Sequence, residues 1–495
     1  MMEIECRDGD KRRAIRQKLD KRILPWLFAL GVVCYLDRTN LSYAAVELNR
    51  DLQFSCKTYG LGAGLFFLGY AVCQVPSSRV FFYFGMPYLC STIILWGIVA
   101  GSFALVQSST AFLLLRVLLG VFESGTFPCM WAYLARFYSP EELGASYAYI
   151  STSTALAQII GSPIAAGILL MDGFGGISGW QWLFIIEGIT SVCFGIILYH
   201  ALPSAPKTAL FLTPEDREWL QEKQDGYITK HQTHKDGALS TIWRECCRFW
   251  TVMKDWRTLY LSVVLFAITQ AMYGCVFFIP MIIHSFFFSS SSTQEGDVAV
   301  SACSDGESSS GSGEGAVVAI LSMVPFASAA ICMIIVGKMS ESANERRYHA
   351  AIPVCLGAIF MMTTPGMMHL GIPVMAFISL TLAAAALWSY HGPFMTWPVV
   401  FFERENATLA FAIMNSIGSA GGFFGNTILG ILAEATGGYG IAMVCIGIVL
   451  LLGGLAIILM PRPEREMSRD DVESDTLLGE GALRRKNDEM TTTGT

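Results

Sequence analysis

The chain has 495 residues, of which 53% are hydrophobic and only 15% are charged, and its formal net charge at pH 7 is −7. Soluble globular proteins carry roughly 25% charged residues, so this composition excludes an ordinary soluble protein. The string GxxxxGK[ST] does not occur, so the sequence gives no support to ATP-driven pumping.

Long apolar runs separated by short charged segments predict an all-α membrane protein. A hydrocarbon core about 30 Å thick needs about 20 apolar residues in helical form, and many of the runs have that length. Helices are required because the core offers no water to free backbone groups. About twelve transmembrane helices are predicted, over residues 23–44, 59–82, 87–107, 111–136, 145–170, 181–203, 257–287, 316–337, 350–369, 372–401, 407–433 and 437–460.

The distribution of Lys and Arg predicts the orientation of these helices. Basic residues are concentrated in 1–22, 204–256 and 338–349, whereas 288–315 contains acidic residues and no Lys or Arg. With twelve spans, the three basic segments lie on one side of the membrane. Cytoplasmic loops are the basic ones, so both termini are predicted to be cytoplasmic. The membrane itself is predicted to be the plasma membrane or, alternatively, an endosomal or lysosomal type.

The basic central loop divides the chain into two six-helix bundles, an arrangement expected when a substrate site lies between them. Two polar segments, one acidic and rich in Ser and Gly, the other at the C-terminus, are predicted to be disordered. The predicted parts are a cytoplasmic arm 1–22, a bundle 23–203, a cytoplasmic loop 204–256, a bundle 257–460 containing the disordered outer loop 288–315, and a disordered cytoplasmic tail 461–495.

Four charged residues lie inside apolar runs. Asp37 and Arg38 are on the first predicted helix, and Arg116 and Glu123 are two turns apart on the fourth, with Gly120 between them to keep that face open. A charge near a bilayer centre costs about 2.5–3.5 kcal/mol, so such residues usually face a cavity and have partners. We expect Asp37 and Glu123 to accept protons, and Arg38 and Arg116 to bind an anion or to act as partners that release these carboxylates. The alternative is a static ion-pair network that only locks helices together.

Other polar and aromatic residues are weaker candidates, because a bond between helices explains each of them equally well. Glu187 on the sixth helix is predicted to be a structural partner of Arg116. The predicted substrate contacts are Tyr70, Gln74, Gln270, Tyr273, Trp397, Asn415 and Ser416. The 14 cysteines lie mostly in apolar runs and are predicted to pack there, so neither a metal nor a cofactor is expected.

Several strings, in their order and spacing, resemble the anion:cation symporter family of the major facilitator superfamily. They are YLDRTNLSYA, RVLLGVFESGTFPCMWAYLARFY, ALPSAPKTALFLTPEDREWL, GKMSESANERRYHAAIP, WSYHGPFMTWP and FAIMNSIGSAGGFFGNTILGILAEATGG, spread between residues 23 and 460. That family includes carriers of sugar acids, tartrate and phthalate and allantoate-type permeases. The resemblance implies the major facilitator fold, transport rather than enzymatic activity, and the roles suggested above for the four charged residues.

Three places depart from the family pattern. The loop SSRVFFYFGMPYLC lacks the usual acidic residue and basic pair, EELGASYA lacks an arginine, and Gln181 stands where an arginine is frequent. Conformational switching is therefore expected to be stabilised differently in this chain.

The predicted function is proton-coupled symport of a small organic anion by alternating access, with the anion, protons and the lipid bilayer as partners. The chain is expected to be monomeric, and its basic loops are interpreted as topology determinants rather than nucleic-acid patches. Three alternatives stay open. They are a carrier of neutral sugar or vitamin, a drug:proton antiporter, whose typical GPxxGG string is only loosely matched by GSPIAAG, and a sensor that does not transport.

Overall fold

A computed structural model describes residues 2–138, 140–231, 247–288, 313–343, 345–402 and 404–460. These residues are almost all helical, and no strand occurs among them. The α-helices are α1 Met2–Arg22, α2 Leu24–Leu52, α3 Cys56–Phe84, α4 Met86–Ser102, α5 Ser109–Glu123, α6 Thr126–Leu134, α7 Pro140–Leu169, α8 Gly179–Ala201, α9 Pro214–His231, α10 over 247–254, α11 Trp256–Phe287, α12 Glu314–Ser342, α13 Arg347–His369, α14 Pro373–Trp388, α15 His391–Met395, α16 Trp397–Phe401, α17 Arg404–Thr436 and α18 Gly440–Leu459.

Eleven helical stretches of the described chain are long and apolar enough to cross a membrane. Helix α2 is 29 residues long but is not among them, because Asp37, Arg38, Glu47 and Arg50 lower its hydropathy. Its packing against α7 and α8 shields most of these polar groups. With α2 included, the helices follow the twelve predicted spans in chain order, and the chain is a multi-pass membrane protein.

The two halves of the chain repeat one packing pattern. In the first half α2 packs against α7, α3 against α5, and α4 against α8. In the second half α11 packs against α17, α12 against α14, and α13 against α18. The same span positions are therefore paired in each half, which is the internal repeat expected of a transporter fold. This confirms the predicted fold class of two six-helix bundles.

The two bundles touch along α3 and α17, α7 and α12, and α2 and α11. Several of these contacts lie at the end of the molecule where α2 finishes, which we call the far end; the opposite end is the α1 end. There, the Tyr59 hydroxyl donates to the backbone oxygen of Phe277 at 2.9 Å, and the Lys57 amide donates to Glu434 Oε2 at 2.9 Å. A Cβ atom added to Gly60 would lie 2.5 Å from the backbone oxygen of Asn426, so α3 and α17 meet backbone to backbone. The far end is therefore closed.

The predicted N-terminal arm is a helix, α1, that packs against the first bundle at the α1 end. Ile15 and Leu19 of α1 are buried. Arg12 pairs with Glu142 at 2.5 Å, and Lys18 pairs with Asp216 of α9 at 2.7 Å. Helix α1 therefore ties the central loop to the start of α7.

Some predicted parts concern residues that are not described. Helix α12 already begins at Glu314, so the last two residues of the predicted outer loop are helical. The remainder of that loop from residue 289, the part of the central loop over 232–246 and the tail 461–495 lie outside the described residues.

Candidate functional site

The fourth span is broken beside one of its two charged residues. Helix α5 ends at Glu123, residues 124–125 form a turn, and α6 begins at Thr126. Pro128 has no N–H to donate to the carbonyl of Ser124, which explains the break. The sequence analysis predicted one continuous helix over 111–136, and that prediction was wrong at this turn.

The tenth span is broken in the same way. It consists of α14, α15 and α16, with Pro393 and Pro398 inside the short pieces. Helices α5 and α14 occupy equivalent positions in the two repeats, because α3 pairs with α5 as α12 pairs with α14. Interrupted helices at corresponding positions of two repeats mark the binding region of many transporters. These breaks direct attention to the space between the bundles beside Glu123.

Arg38 and Glu123 form a fully buried ion pair between α2 and α5. The Nε atom of Arg38 donates to Glu123 Oε1 at 2.9 Å, and its Nη2 donates to the same oxygen. The Cys34 thiol donates to that oxygen as well, at 3.2 Å. The second oxygen, Oε2, has no hydrogen-bond partner among the described residues. One carboxylate oxygen is thus heavily bonded while the other is left unpartnered.

Three aromatic rings surround the Arg38 guanidinium. Its central carbon lies 5.0 Å from the ring centre of Tyr35, 5.2 Å from Phe66 and 4.9 Å from Tyr70. Such contacts contribute about 0.5–2 kcal/mol each. Tyr70 was predicted as a substrate contact, whereas Tyr35 and Phe66 were missed. The spacing of Tyr35 one turn before Arg38 was the available sequence signal.

Arg116 also lies against Phe66, 5.0 Å from the centre of the same ring and 5.6 Å from that of Phe277. Its Nε donates to the backbone oxygen of Gly62 at 3.1 Å, while Nη2 has no partner in the described chain. No ion pair between Arg116 and Glu187 occurs among the described side chains, so the predicted partnership is not found. Arg116 therefore keeps a free donor in a buried position.

Asp37 completes the charged group. It is only 4% exposed, its Oδ2 has no hydrogen-bond partner among the described residues, and it interacts electrostatically with Glu123, Arg116 and Arg38. The structure thus brings together all four residues that the sequence analysis selected. The cluster holds two acidic and two basic side chains, so its formal charges cancel. Three of its buried polar atoms have no hydrogen-bond partner among the described residues.

Gly120 has a different role from the predicted one. A Cβ atom there would run into the backbone of Phe66 and would lie 3.1 Å from the Tyr70 amide nitrogen. Gly120 lets α5 pack directly on α3, and the prediction that it keeps an open face was wrong.

Three of the weaker candidates lie between the bundles. The ring centre of Tyr273 is 4.1 Å from that of Phe67, and Tyr273 interacts electrostatically with Arg38 and with Tyr390. Ser416 donates to Gln74 Oε1 at 3.0 Å across the interface of α17 and α3. Tyr273 therefore connects the charged cluster to the second bundle, and Gln74 and Ser416 join α3 to α17.

The remaining candidates have no described contact with the charged cluster. Gln270 is buried where α11 packs against Gly425. Trp397 stacks on Phe394 at 6.4 Å within the second bundle, and no described contact joins it to the charged cluster. Asn415 is half-buried on α17, with no hydrogen bond among the described residues.

Comparisons with known proteins agree with this architecture. The family model described as "Major Facilitator Superfamily" matches residues 27–400. A protein of Agrobacterium vitis named "Putative tartrate transporter" is 28% identical over 455 residues, covering 92% of this chain and 93% of the relative. A "Quinolone resistance transporter" of Acinetobacter baumannii is 30% identical over 450 residues, covering 90% and 95%.

Solved structures share the fold. The D-xylose-proton symporter superimposes with a TM-score of 0.65 at 13% identity, covering 88% of this chain and 96% of its own. An inward-facing bacterial homolog of the human lysosomal transporter Spinster gives 0.64 at 17% identity, covering 89% and 96%. At these identities the likeness concerns the fold alone.

Proposed function

The chain belongs to the Major Facilitator Superfamily, and on that basis we propose that it moves a small organic anion together with protons. The family and the relatives make it a membrane transporter rather than an enzyme. The anion and the proton are the proposed parts.

The arrangement of unpartnered atoms in the charged cluster carries this proposal. Arg116 Nη2 is a buried donor, and Asp37 Oδ2 and Glu123 Oε2 are buried acceptors, none of them hydrogen-bonded within the described residues. Leaving such groups unsatisfied costs about 1–3 kcal/mol each, and more when they are charged. A carboxylate substrate would satisfy the donor, and protons would satisfy the acceptors.

The Arg38–Glu123 pair supplies a coupling mechanism. While Glu123 is ionised it occupies the guanidinium fork of Arg38. A proton on Glu123 removes that charge, and the fork then becomes available to a substrate carboxylate, which guanidinium binds with two parallel bonds. Proton binding and anion binding therefore favour each other, as symport requires.

The relatives' names support a carboxylate substrate. Tartrate is a dicarboxylate, and quinolones also carry a carboxyl group, so both printed names fit an anion site with two arginines. A neutral sugar such as xylose needs no pair of arginines. The xylose symporter resembles this chain in its fold alone.

The orientation and the state of the carrier follow from the charge distribution. The α1 end bears the basic segments, so we place it in the cytoplasm. The far end, which is closed, then faces outward, and we propose that substrate reaches the cluster from the cytoplasmic side in this state, in a carrier that acts as a monomer.

Drug export is the second candidate function, and the quinolone-resistance relative favours it. An exporter would exchange its substrate for protons, whereas a symporter moves both in one direction. The direction of the proton gradient that drives uptake separates the two.

Purified protein in lipid vesicles tests the proposal. Labelled tartrate, a monocarboxylate, a neutral sugar and a quinolone are offered with and without an imposed pH gradient. We expect the gradient to drive accumulation of a carboxylate from the acidic side and to leave the sugar outside. Accumulation of the sugar alone, or uptake of every compound unaffected by the gradient, would contradict the proposal.

A further inference from the structure

We propose that protons reach the charged cluster from the far end, through the interior of the first bundle, along Glu47, Tyr43, Glu187 and Asp37. This inference rests on the proposed proton coupling and adds the route and three residues, Glu47, Tyr43 and Glu187, that the coupling mechanism above does not use.

Glu187 is the middle carboxylate of this route. It lies on α8, is 8% exposed, and its Oε2 has no hydrogen-bond partner among the described residues. It is close enough to Asp37 on α2 to interact electrostatically with it. No described cation pairs with Glu187, so a structural salt bridge does not account for it. A buried carboxylate without a partner is costly unless it carries a proton, and it can pass that proton to Asp37.

Glu47 is the outermost carboxylate. It is 4% exposed, and its Oε2 also lacks a partner among the described residues. Cβ atoms built on Gly179 and Gly315 would lie 3.0 Å from Glu47 Oε2 and 2.5 Å from Oε1, respectively. Glu47 therefore sits between the first residue of α8 and the start of α12, which belongs to the second bundle.

The charged groups around Glu47 come from several elements. On its own helix these are Arg50 and Asp51, and Asp172 lies before α8. At the start of α12, Glu314 pairs with His284 of α11 at 3.3 Å. Asp51 is exposed at the end of α2. Going inward along α2 from this far-end surface, Glu47 is the first buried acid.

Tyr43 lies at a depth between the two glutamates. It is on α2, one turn from Glu47, and it interacts electrostatically with Glu187. Ser162 donates to the Tyr43 hydroxyl oxygen at 3.0 Å, a bond that does not use the tyrosine proton, and the Thr39 side chain is a second hydrogen-bond partner of this hydroxyl.

Helix geometry places the groups at suitable depths. Glu47 and Asp37 are ten residues apart, or about 15 Å along α2. Glu187 is eight residues from Gly179, or about 12 Å along α8 from the level of Glu47. Glu187 is thus nearly level with Asp37, and Tyr43 covers the intervening depth.

Each transfer changes only O–H bonds. Glu47 binds a proton on its free oxygen and releases it to the Tyr43 oxygen as the tyrosine proton moves to Glu187. Glu187 then protonates Asp37, which exchanges the proton with Glu123. The start of α12 covers Glu47 while the far end is closed, so protons and anion gain access in the same outward-open state.

The test uses Glu187→Gln and Glu47→Gln in vesicles containing the full chain, with labelled tartrate as the probe. Glu218→Gln, an exposed position on α9, is the matched control. Exchange of internal for external tartrate needs no net proton movement, whereas accumulation driven by a pH gradient does. We expect each variant to lose about tenfold in the initial rate of driven accumulation, equal to about 1.4 kcal/mol, and to keep its exchange rate. Glu187→Asp should recover part of the loss.

Wild-type driven accumulation in both glutamine variants would overturn the route while leaving proton coupling intact. Absence of driven accumulation in the wild type would instead overturn the proposed function, and the route with it. A substrate-free measurement guards against misfolded variants. Infrared difference spectra between acidic and neutral pH should show a protonated-carboxyl band that Glu187→Gln reduces, and an unchanged band would contradict the role of Glu187.

Discussion

Arg38 directs two N–H groups at a single oxygen of Glu123, and the other oxygen of that carboxylate has no hydrogen-bond partner in the described chain. A symmetrical fork would have used both oxygens. The asymmetry leaves one buried acceptor on which a proton can bind before the ion pair breaks. The pair is therefore suited to release Arg38 on protonation rather than to lock α2 and α5 permanently.

Replacement of Arg38 by Lys tests whether the guanidinium fork binds the anion. Lysine keeps the charge but offers neither two parallel donors nor a flat face for Tyr35, Phe66 and Tyr70. We expect Arg38→Lys to weaken tartrate binding by about tenfold or more, measured as the concentration giving half-maximal exchange. Arg13→Lys, at an exposed position on α1, is the control and should change nothing. Equal affinity in the two variants would argue for a merely structural Arg38.

Closure of the far end depends on Gly60. A Cβ atom there would lie 2.5 Å from the backbone oxygen of Asn426 and 2.9 Å from the Cα of Gly430, and backbone atoms cannot move aside cheaply. We expect Gly60→Val to favour states in which the far end is open, so a cysteine placed at the buried Asn49 should react faster with a maleimide.

Gly167→Val is the matched control, since nothing described lies within 4 Å of a Cβ at that position. It should leave labelling of the same cysteine unchanged. Slow labelling in both glycine variants would show that the contact between α3 and α17 does not control access.

The docking of α1 should respond to acid through Asp216. Burial raises the pKa of this carboxyl, but the hydrogen bonds of Lys18 and Thr213 and the charges of Lys18 and Lys11 together outweigh burial and lower it overall. The contribution to docking is therefore complete above the unfolded pKa of about 3.9 and is lost as the pH falls through the lower folded value. Fluorescence anisotropy of a label at the exposed position 17 should stay constant from neutral pH to about pH 5 and drop only in stronger acid.

Asp216→Asn mimics the protonated state at neutral pH. The pair is partly exposed, so the expected loss of docking free energy is about 1 kcal/mol or less, seen as a modest fall in anisotropy. Lys21→Met, a change at an exposed position on α1, should have no effect. Undocking that begins near neutral pH in the wild type would contradict this assignment.

Much of the fold and the core of the site could be predicted because they depend on local chemistry. Long apolar runs determine the spans, and a charge inside such a run is costly enough to indicate a cavity, which is why Asp37, Arg38, Arg116 and Glu123 were all identified. Their proximity is confirmed, while their roles stay predictions.

The rest depends on contacts between helices that no local pattern encodes. Phe66 could not be placed beside both arginines without knowing how α3 packs on α2 and α5. Gly120 was misjudged because its neighbour is the backbone of another helix. The break after Glu123 did have a sequence signal in Gly125 and Pro128, but the apolar character of the span concealed it.

Glu123→Gln in vesicles is the decisive measurement. Glutamine keeps the shape and can still accept a bond from Arg38, but it cannot take up a proton. We predict that tartrate exchange persists while accumulation driven by a pH gradient falls about a hundredfold, to the rate seen without a gradient. Glu218→Gln should match the wild type in both assays. Gradient-driven accumulation at the wild-type rate in Glu123→Gln would contradict proton coupling through the Arg38–Glu123 pair.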